Sequence, residues 1–441
     1  MSDRKVLDRI CTTGTDRLFE PYRIPQSALS SALVQSVWSR VQDAIHPTTS
    51  ARQRAPQKRH DETLFASVQA LVCDLAHRYL ENPDRCLAVT RSKANLGPAN
   101  RYRSPAGTKS LRRATDLLKD LGFLEMLPGG HDVSLIEVDP VTGEIERKVR
   151  GCQTVIWAGP SLIVLLGQWN LSFRDFAIDH RKEVIVLRGP KPKRTKKSGS
   201  LIDYQETIHT KALRKKMHEI NSYLEEAPIS VLQPRNDHLI DATDRRLRRI
   251  FNNGDFGQGG RLYGGFWMPM SKEDRRRCIL LAGEDTVELD FGQMVVRLLY
   301  GREGINPEGD LYAIPVYENY RDGMKKLLNA MIYSGTPLYW FPDSVAELLP
   351  PGLKPSTAIA AIKKHHRPIA HHFGTGVGLQ TMKDESDILI DVLSRLRSLS
   401  VVALPIHDAI IVPRSKVHIA EAVMKDSFFS YTGIPAVVSV E

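Results

Sequence analysis

Val287-Glu288-Leu289-Asp290-Phe291-Gly292-Gln293 is the stretch on which the reading of this chain turns. Apolar and acidic residues alternate strictly in it. Val287, Leu289 and Phe291 therefore share one face of a strand, and Glu288 and Asp290 share the other. Gly292 breaks the strand, and residues 293–300 continue with Met294, Val295, Leu298 and Leu299 at helical spacing. This predicts Asp290 at the end of a core strand, where a rigid sheet would restrict a metal ligand. Alone, an aspartate at a strand end is more often a turn or N-cap residue. Two later segments change that balance.

The first is Arg321, Lys325, Asn329 and Tyr333, which recur at every fourth position. Each step of four advances about 40° around a helix, so the set covers about a third of its circumference. Met324, Leu327, Leu328 and Met331 supply the apolar stripe beside it. A face with two cations and a phenol suits a triphosphate, although an isolated pair of this kind is usually an ordinary solvated surface. The second segment is Val401-Val402-Ala403-Leu404-Pro405-Ile406, His407-Asp408, Ala409-Ile410-Ile411-Val412-Pro413. Two apolar strands joined by a polar dipeptide put His407 and Asp408 at a hairpin tip, where desolvation calls for hydrogen bonds or a metal. Asp408 is then the natural partner of Asp290 for two Mg²⁺ ions, with a structural His-Asp turn as the alternative.

Outward from this core, the chain has 441 residues and a formal charge of +10. That length accommodates more than one core, and the charge favours a polyanionic partner without proving one. Its five cysteines form no Cys-x-x-Cys pair, so neither a zinc ribbon nor a disulfide framework is indicated, and a reduced cytoplasmic, nucleoid-associated setting is expected. No run of 18 apolar residues occurs, and Met1-Ser2-Asp3-Arg4-Lys5 does not begin a signal peptide.

Helical periodicity is read over 26–46 (Leu29, Leu33, Val37, Val41) and 62–81 (Leu64, Val68, Leu71, Val72, Leu75), with a polar loop at 48–59 between them. A further helix over 109–121 carries Lys109, Arg112, Arg113 and Lys119. It leads into a short strand, the turn Pro128-Gly129-Gly130 and a strand over 134–138. This succession resembles a winged helix-turn-helix with 109–121 as recognition helix; a generic helix-to-hairpin unit is the other reading. The basic run 191–197 with Ser198-Gly199-Ser200 reads as a linker. The helix at about 204–224, rich in Lys211, Arg214, Lys215, Lys216 and His218, takes a thumb-like position. The expected order is a helical region over 1–90, a winged-helix-like domain over 91–188, a linker over 189–200 and a catalytic domain over 201–441.

Together the three carboxyl-terminal segments resemble the palm and fingers of the family A DNA polymerases and the single-subunit phage RNA polymerases. Asp290, Gln293 and Arg297 match the first motif of that family, and Arg321, Lys325 and Tyr333 match its fingers helix. His407 and Asp408 match the third, and Gly259-Gly260-Arg261 is similar to a glycine-Arg element that touches the primer-template. The resemblance covers about 245–441. It implies a right-hand palm of antiparallel sheet with helical fingers, so that with the amino-terminal helical and winged-helix region the expected fold class is α+β.

It further implies two Mg²⁺ (or Mn²⁺) ions on Asp290 and Asp408, nucleoside triphosphate at Arg321, Lys325 and Tyr333, and a template and primer touching Arg261, His407, Arg297 and, less regularly spaced, Gln380. Val295 replaces the glutamate usual in the DNA enzymes, Asn329 replaces an aromatic, and Ala409 replaces an acidic or hydroxyl residue. Sugar choice is left open between a DNA polymerase and an RNA polymerase or primase, and a non-catalytic DNA-binding scaffold is a third reading. No Asp-x-Glu exonuclease element stands out in the first half. Gly374-Thr375-Gly376-Val377-Gly378 follows no strand that would make it a dinucleotide loop. His365-His366 and His371-His372 lack acidic or cysteine companions at zinc-like spacing and read as solvated or phosphate-contacting.

Overall fold

The computed structural model describes residues 17–46, 58–92, 96–129, 131–138, 145–151, 153–192, 198–232, 240, 242–343 and 345–441. The first residues, most of the loop expected at 48–59 and residues 193–197 of the basic run lie outside them. The chain is mixed α+β and divides into two compact units, Met1–Glu183 and Val184–Glu441.

In the first unit, β1 (Arg17–Leu18) and β2 (Arg23–Pro25) precede helices α1 (Ala28–Ile45) and α2 (Lys58–Glu81). Ser27 and Ser30 form a reciprocal capping box that starts α1. Leu33, Val37 and Val41 are buried with Leu64, Val68, Leu71, Val72 and Leu75 in one core. Leu29, expected on the same stripe, is exposed, because successive steps of four residues drift around the helix and carry it off the packed face.

There follow β3 (Leu87–Val89), α3 (Ser110–Asp120), β4 (Leu124–Leu127), the hairpin β5 (His131–Val138) and β6 (Ile145–Gly151), β7 (Thr154–Ala158), α4 (Pro160–Trp169) and β8 (Phe176–Ile178). The sheet order is β1-β3-β7-β4, with β7 antiparallel to both β3 and β4. Leu111, Ala114, Thr115 and Leu118 fix the inner face of α3, while Lys109, Arg113 and Lys119 are exposed and Arg112 is half-buried. One core runs from Leu33 to Phe176, so the stretches before and after residue 90 pack around the same interior.

The second unit opens with β9 (Ile185–Leu187), α5 (Ile208–Glu226), β10 (Ile229–Val231), the hairpin β11 (Leu247–Asn252) and β12 (Asp255–Gly264), then α6 (Lys272–Cys278) and β13 (Ile279–Leu281). It continues through β14 (Glu284–Phe291), α7 (Met294–Arg302), α8 (Arg321–Tyr333), α9 (Pro355–His365), α10 (Gly378–Ser398), β15 (Leu404–Ile406), β16 (Ala409–Pro413), α11 (Val417–Thr432) and β17 (Val438–Val440). The described ends of the expected linker belong to this unit and pair with each other: Arg188 bridges to Leu201, and the Gly189 N–H donates to the Ser200 carbonyl at 2.8 Å.

A sheet of order β10-β13-β14-β16-β15, with β17 also on β14, lies at the centre of the unit. Thr286, Val287, Leu289 and Phe291 are buried, and Glu288 and Asp290 are half-buried on the alternate face, as the sequence pattern predicts.

Candidate active site

Asp290 is held from two sides, lying opposite Ala409 of β16 and Ser439 of β17. A strand paired on both edges has little freedom to move a side chain away. His407 and Asp408 alone join β15 to β16, and the Phe291 N–H donates to the Asp408 carbonyl at 3.3 Å. His407 takes a left-handed φ of 52°, as tight two-residue hairpins require. His407 is exposed and Asp408 half-buried at the tip.

Burial, the Asp408 carboxylate and then Glu288 push the Asp290 carboxyl up to about 6, with Lys325 and Lys272 pulling the other way. Asp290 Oδ1 is buried and has no hydrogen-bond partner. A buried orphaned oxygen on a carboxyl group under the influence of a second carboxylate is unfavourable until a cation joins it, and hard oxygen donors suit Mg²⁺. Glu288 is occupied elsewhere, 3.1 Å from Arg275 Nη2, which gives it a structural partner.

On α8, Met324, Leu327, Leu328 and Met331 are buried, and Arg321 and Lys325 are exposed. Both cations lie 5.3 Å from the ring centroid of Tyr312. Arg321 Nε also donates to Asp310 at 2.5 Å, and Gln293 Nε2 donates to the same carboxylate at 3.1 Å. The hydrogen bond from Arg321 holds Asp310 below its ordinary range. Asp310 and Tyr312 were not singled out from the sequence, since they sit in an irregular stretch between helices. An acidic and an aromatic residue two positions apart, shortly before the cationic helix, were the available signal.

At the far end of α8, burial pushes the Tyr333 phenol up to about 12; Arg261 opposes this, while Glu385 and Asp408 add to it. A Cβ on Gly378 would stand 2.5 Å from the Tyr333 ring, so glycine allows the first turn of α10 to lie against it. Arg261 follows Gly259 and Gly260, whose φ values are 82° and 80°. It donates to the buried Glu385 carboxylate at 2.6 and 2.9 Å. Buried Arg249 bonds the Gly260 carbonyl and Asp387, each at 2.9 Å, and the Ser386 hydroxyl bonds that carbonyl too. Three consecutive residues of α10 thereby fasten β12.

No family model and no curated protein matches this sequence. Among solved structures, the chain is similar to the POL domain of Pol1 from M. smegmatis in complex with DNA primer-template and dNTP. Identity is 9 % and the TM-score 0.31, over 95 % of this chain and 66 % of that one. The likeness is distant. The chain spans just under two thirds of that structure, and a similarity of this degree carries no argument about function.

Asp408 and Lys325 both act electrostatically on Asp290, and Arg261 and Asp408 both act on Tyr333. Gln293 Oε1 and Asn329 Oδ1 are buried acceptors without partners. Val295 is half-buried on α7, and Gln380 is exposed in the first turn of α10. Arg297, expected on nucleic acid, is 5 % exposed, and its Nη1 points to the Pro307 carbonyl at 3.5 Å. Lys109, Arg112 and Arg113 belong to the first unit, where with Leu96, Asp116, Leu117 and Asp120 they line an open groove of about 610 Å³. Among the described residues, no helix is long and apolar enough to cross a membrane.

Proposed function

We propose that this chain is a template-directed nucleotidyltransferase: a DNA-dependent DNA polymerase without proofreading, acting in replication or repair. The observation that carries this reading is the convergence of two carboxylates, Asp290 at the end of β14 and Asp408 at the tip of the neighbouring β15–β16 hairpin, with the Lys325 cation of α8. Asp290 and Asp408 would hold two Mg²⁺ ions, with Mn²⁺ as a substitute. Bound there, the ions supply positive charge to the phosphoryl group and to the attacking and leaving oxygens. The orphaned Asp290 Oδ1 and the repulsion between the carboxylates fit the pair to that load.

Lys325 is assigned to the triphosphate and to the charge that develops on the leaving pyrophosphate. Arg321 is assigned to the triphosphate beside Lys325, oriented by its hydrogen bond to Asp310 and its contact with the Tyr312 ring. Tyr333 presents its ring to the nascent base pair, and its raised pKa keeps the phenol neutral. Gln293 and Asn329 offer acceptors at the nucleotide, and Val295 occupies the sugar-selecting position of the resembled family. His407 is assigned to the primer terminus, and Arg261 and Gln380 to template and primer.

In the first unit, the strand order β3-β7-β4 with α3 and the β5–β6 hairpin inserted supports a winged helix. Lys109, Arg112 and Arg113 would then meet duplex phosphates.

The test is single-nucleotide incorporation opposite each template base, with dNTPs and rNTPs supplied in parallel. Incorporation of the complementary dNTP in preference to the rNTP supports the reading. Equal use of both sugars would remove the claim of DNA specificity, and incorporation that ignores the template base would remove template direction.

A further inference from the structure

A second cluster of side chains of metal-ligating type lies just after α7 and in the turn after α9. Glu303 follows α7 directly, and His371 and His372 end a 3-10 turn at Arg367–His372. His372 Nε2 is 2.9 Å and His371 Nε2 is 3.3 Å from the same oxygen, Glu303 Oε1. The two imidazoles lie side by side with centroids 4.0 Å apart. The acidic companion that the sequence did not offer is thus supplied by a residue 69 positions before His372.

We propose that Glu303, His371 and His372 form a binding site for a divalent transition ion of the zinc class, separate from Asp290 and Asp408. The donor set is two imidazole nitrogens and one carboxylate oxygen, which zinc accepts and Mg²⁺ does not favour. Ligand atoms about 2.1 Å from a tetrahedral ion lie about 3.4 Å from one another. The potential ligand atoms here already lie within 4.8 Å of one another, near that spacing before any ion is bound. Its members are reachable from solvent, with His371 59 % exposed, so an ion has an entry path and water completes the fourth position.

The site's place in the fold gives it a structural consequence. The turn ending at His372 leads into Gly374 and Gly376, whose N–H groups donate to Met331 and Ser334 at 2.8 and 2.7 Å. Glu303 closes the helix that follows the Asp290 strand. An ion would therefore tie the end of α7 to the segment that receives the end of α8.

Zinc uptake by the metal-stripped full chain tests this, by equilibrium dialysis with metal analysis and by thermal unfolding, in wild type, Asp408→Asn, Glu303→Gln and His371→Ala/His372→Ala. We expect one Zn²⁺ per chain and a higher Tm in wild type and in Asp408→Asn. Binding should be at least about tenfold weaker in the other two variants. Mg²⁺ should not compete for the site. No retained zinc in wild type, or equal retention by folded Glu303→Gln, overturns the proposal. Should the double variant fail to fold, Glu303→Gln and the visible spectrum of the Co²⁺-loaded wild type decide, since a spectrum unchanged by Glu303→Gln is also contrary. Loss of zinc in Asp408→Asn would place the ion at the carboxylate pair instead and sink the second site, without touching the polymerase reading.

Discussion

Arg261 on β12 grips Glu385 on α10 through two hydrogen bonds of 2.6 and 2.9 Å, across 124 residues of sequence. The carboxylate is 1 % exposed. Burial pushes Glu385 up, and the Arg261 guanidinium holds against it. Arg261 thus has a structural duty before any nucleic acid arrives. Removing it strands a buried carboxylate, so Arg261→Ala should cost about 3 kcal/mol in denaturant unfolding. Arg261→Ala/Glu385→Ala should cost less than the sum of the two single changes. Additive losses would show that the pair is not coupled.

Asp290 gives a pH dependence with a definite sign. Its folded value of about 6 lies above its ordinary 3.8, so its contribution to stability is present below 3.8 and lost as pH rises through 6. The full shift corresponds to about 3 kcal/mol, which solvent screening of a half-buried group reduces to about 1–2 kcal/mol. In metal-free protein, Asp290→Asn should exceed wild type by that amount at pH 8 and match it near pH 4. Adding Mg²⁺ at pH 8 should stabilise the wild type and close the gap. A pH-independent difference in thermal unfolding would contradict the assignment.

His366 supplies the opposite slope. It is buried, its Nε2–H donates to the Leu311 carbonyl at 2.9 Å, and its Nδ1 accepts from the Tyr300 hydroxyl at 3.0 Å. It thereby anchors the residue between Asp310 and Tyr312. Burial, then His365, lowers its pKa from 6.5 to about 4. Stability from this group is complete above 6.5 and is lost as pH falls toward 4. Relative to His366→Gln, the wild type should lose roughly 3 kcal/mol across that window. Parallel acid-unfolding curves for the two proteins would refute this.

Lys325 and its neighbour Lys326 are both exposed on α8, but only Lys325 meets Tyr312 and acts on Asp290. Lys325→Ala should slow nucleotide addition roughly 100-fold, mostly in kcat, because its charge is needed as the leaving group departs. Lys326→Ala should remain near wild type. Equal effects in single-turnover kinetics would reduce Lys325 to an ordinary surface cation.

The alternation through Asp290 and the spacing of Arg321, Lys325, Asn329 and Tyr333 were legible because strand and helix periodicity are local properties of the chain. The tip at His407-Asp408 was legible because two apolar runs flank it. Asp310, Tyr312 and the Glu303–His372 contact were not, since irregular segments and long-range pairings leave no period. The β11–β12 hairpin has its own local signal in Asn253-Gly254, whose φ values of 57° and 72° suit a tight two-residue turn. Arg297 matched a motif by spacing, yet α7 turns it into the interior, where burial lowers its pKa. Spacing alone does not say which face a helix presents.

The central claim is that Asp290 and Asp408 together carry metal-dependent nucleotide transfer. The most direct measurement is extension of a labelled primer on a DNA template with Mg²⁺ and four dNTPs, by wild type, Asp290→Asn and Asp408→Asn, each shown to be folded by thermal unfolding. The account predicts templated extension by the wild type and its loss in both variants. Extension undiminished in either variant would contradict it, as would a folded, DNA-binding wild type that adds neither dNTPs nor rNTPs.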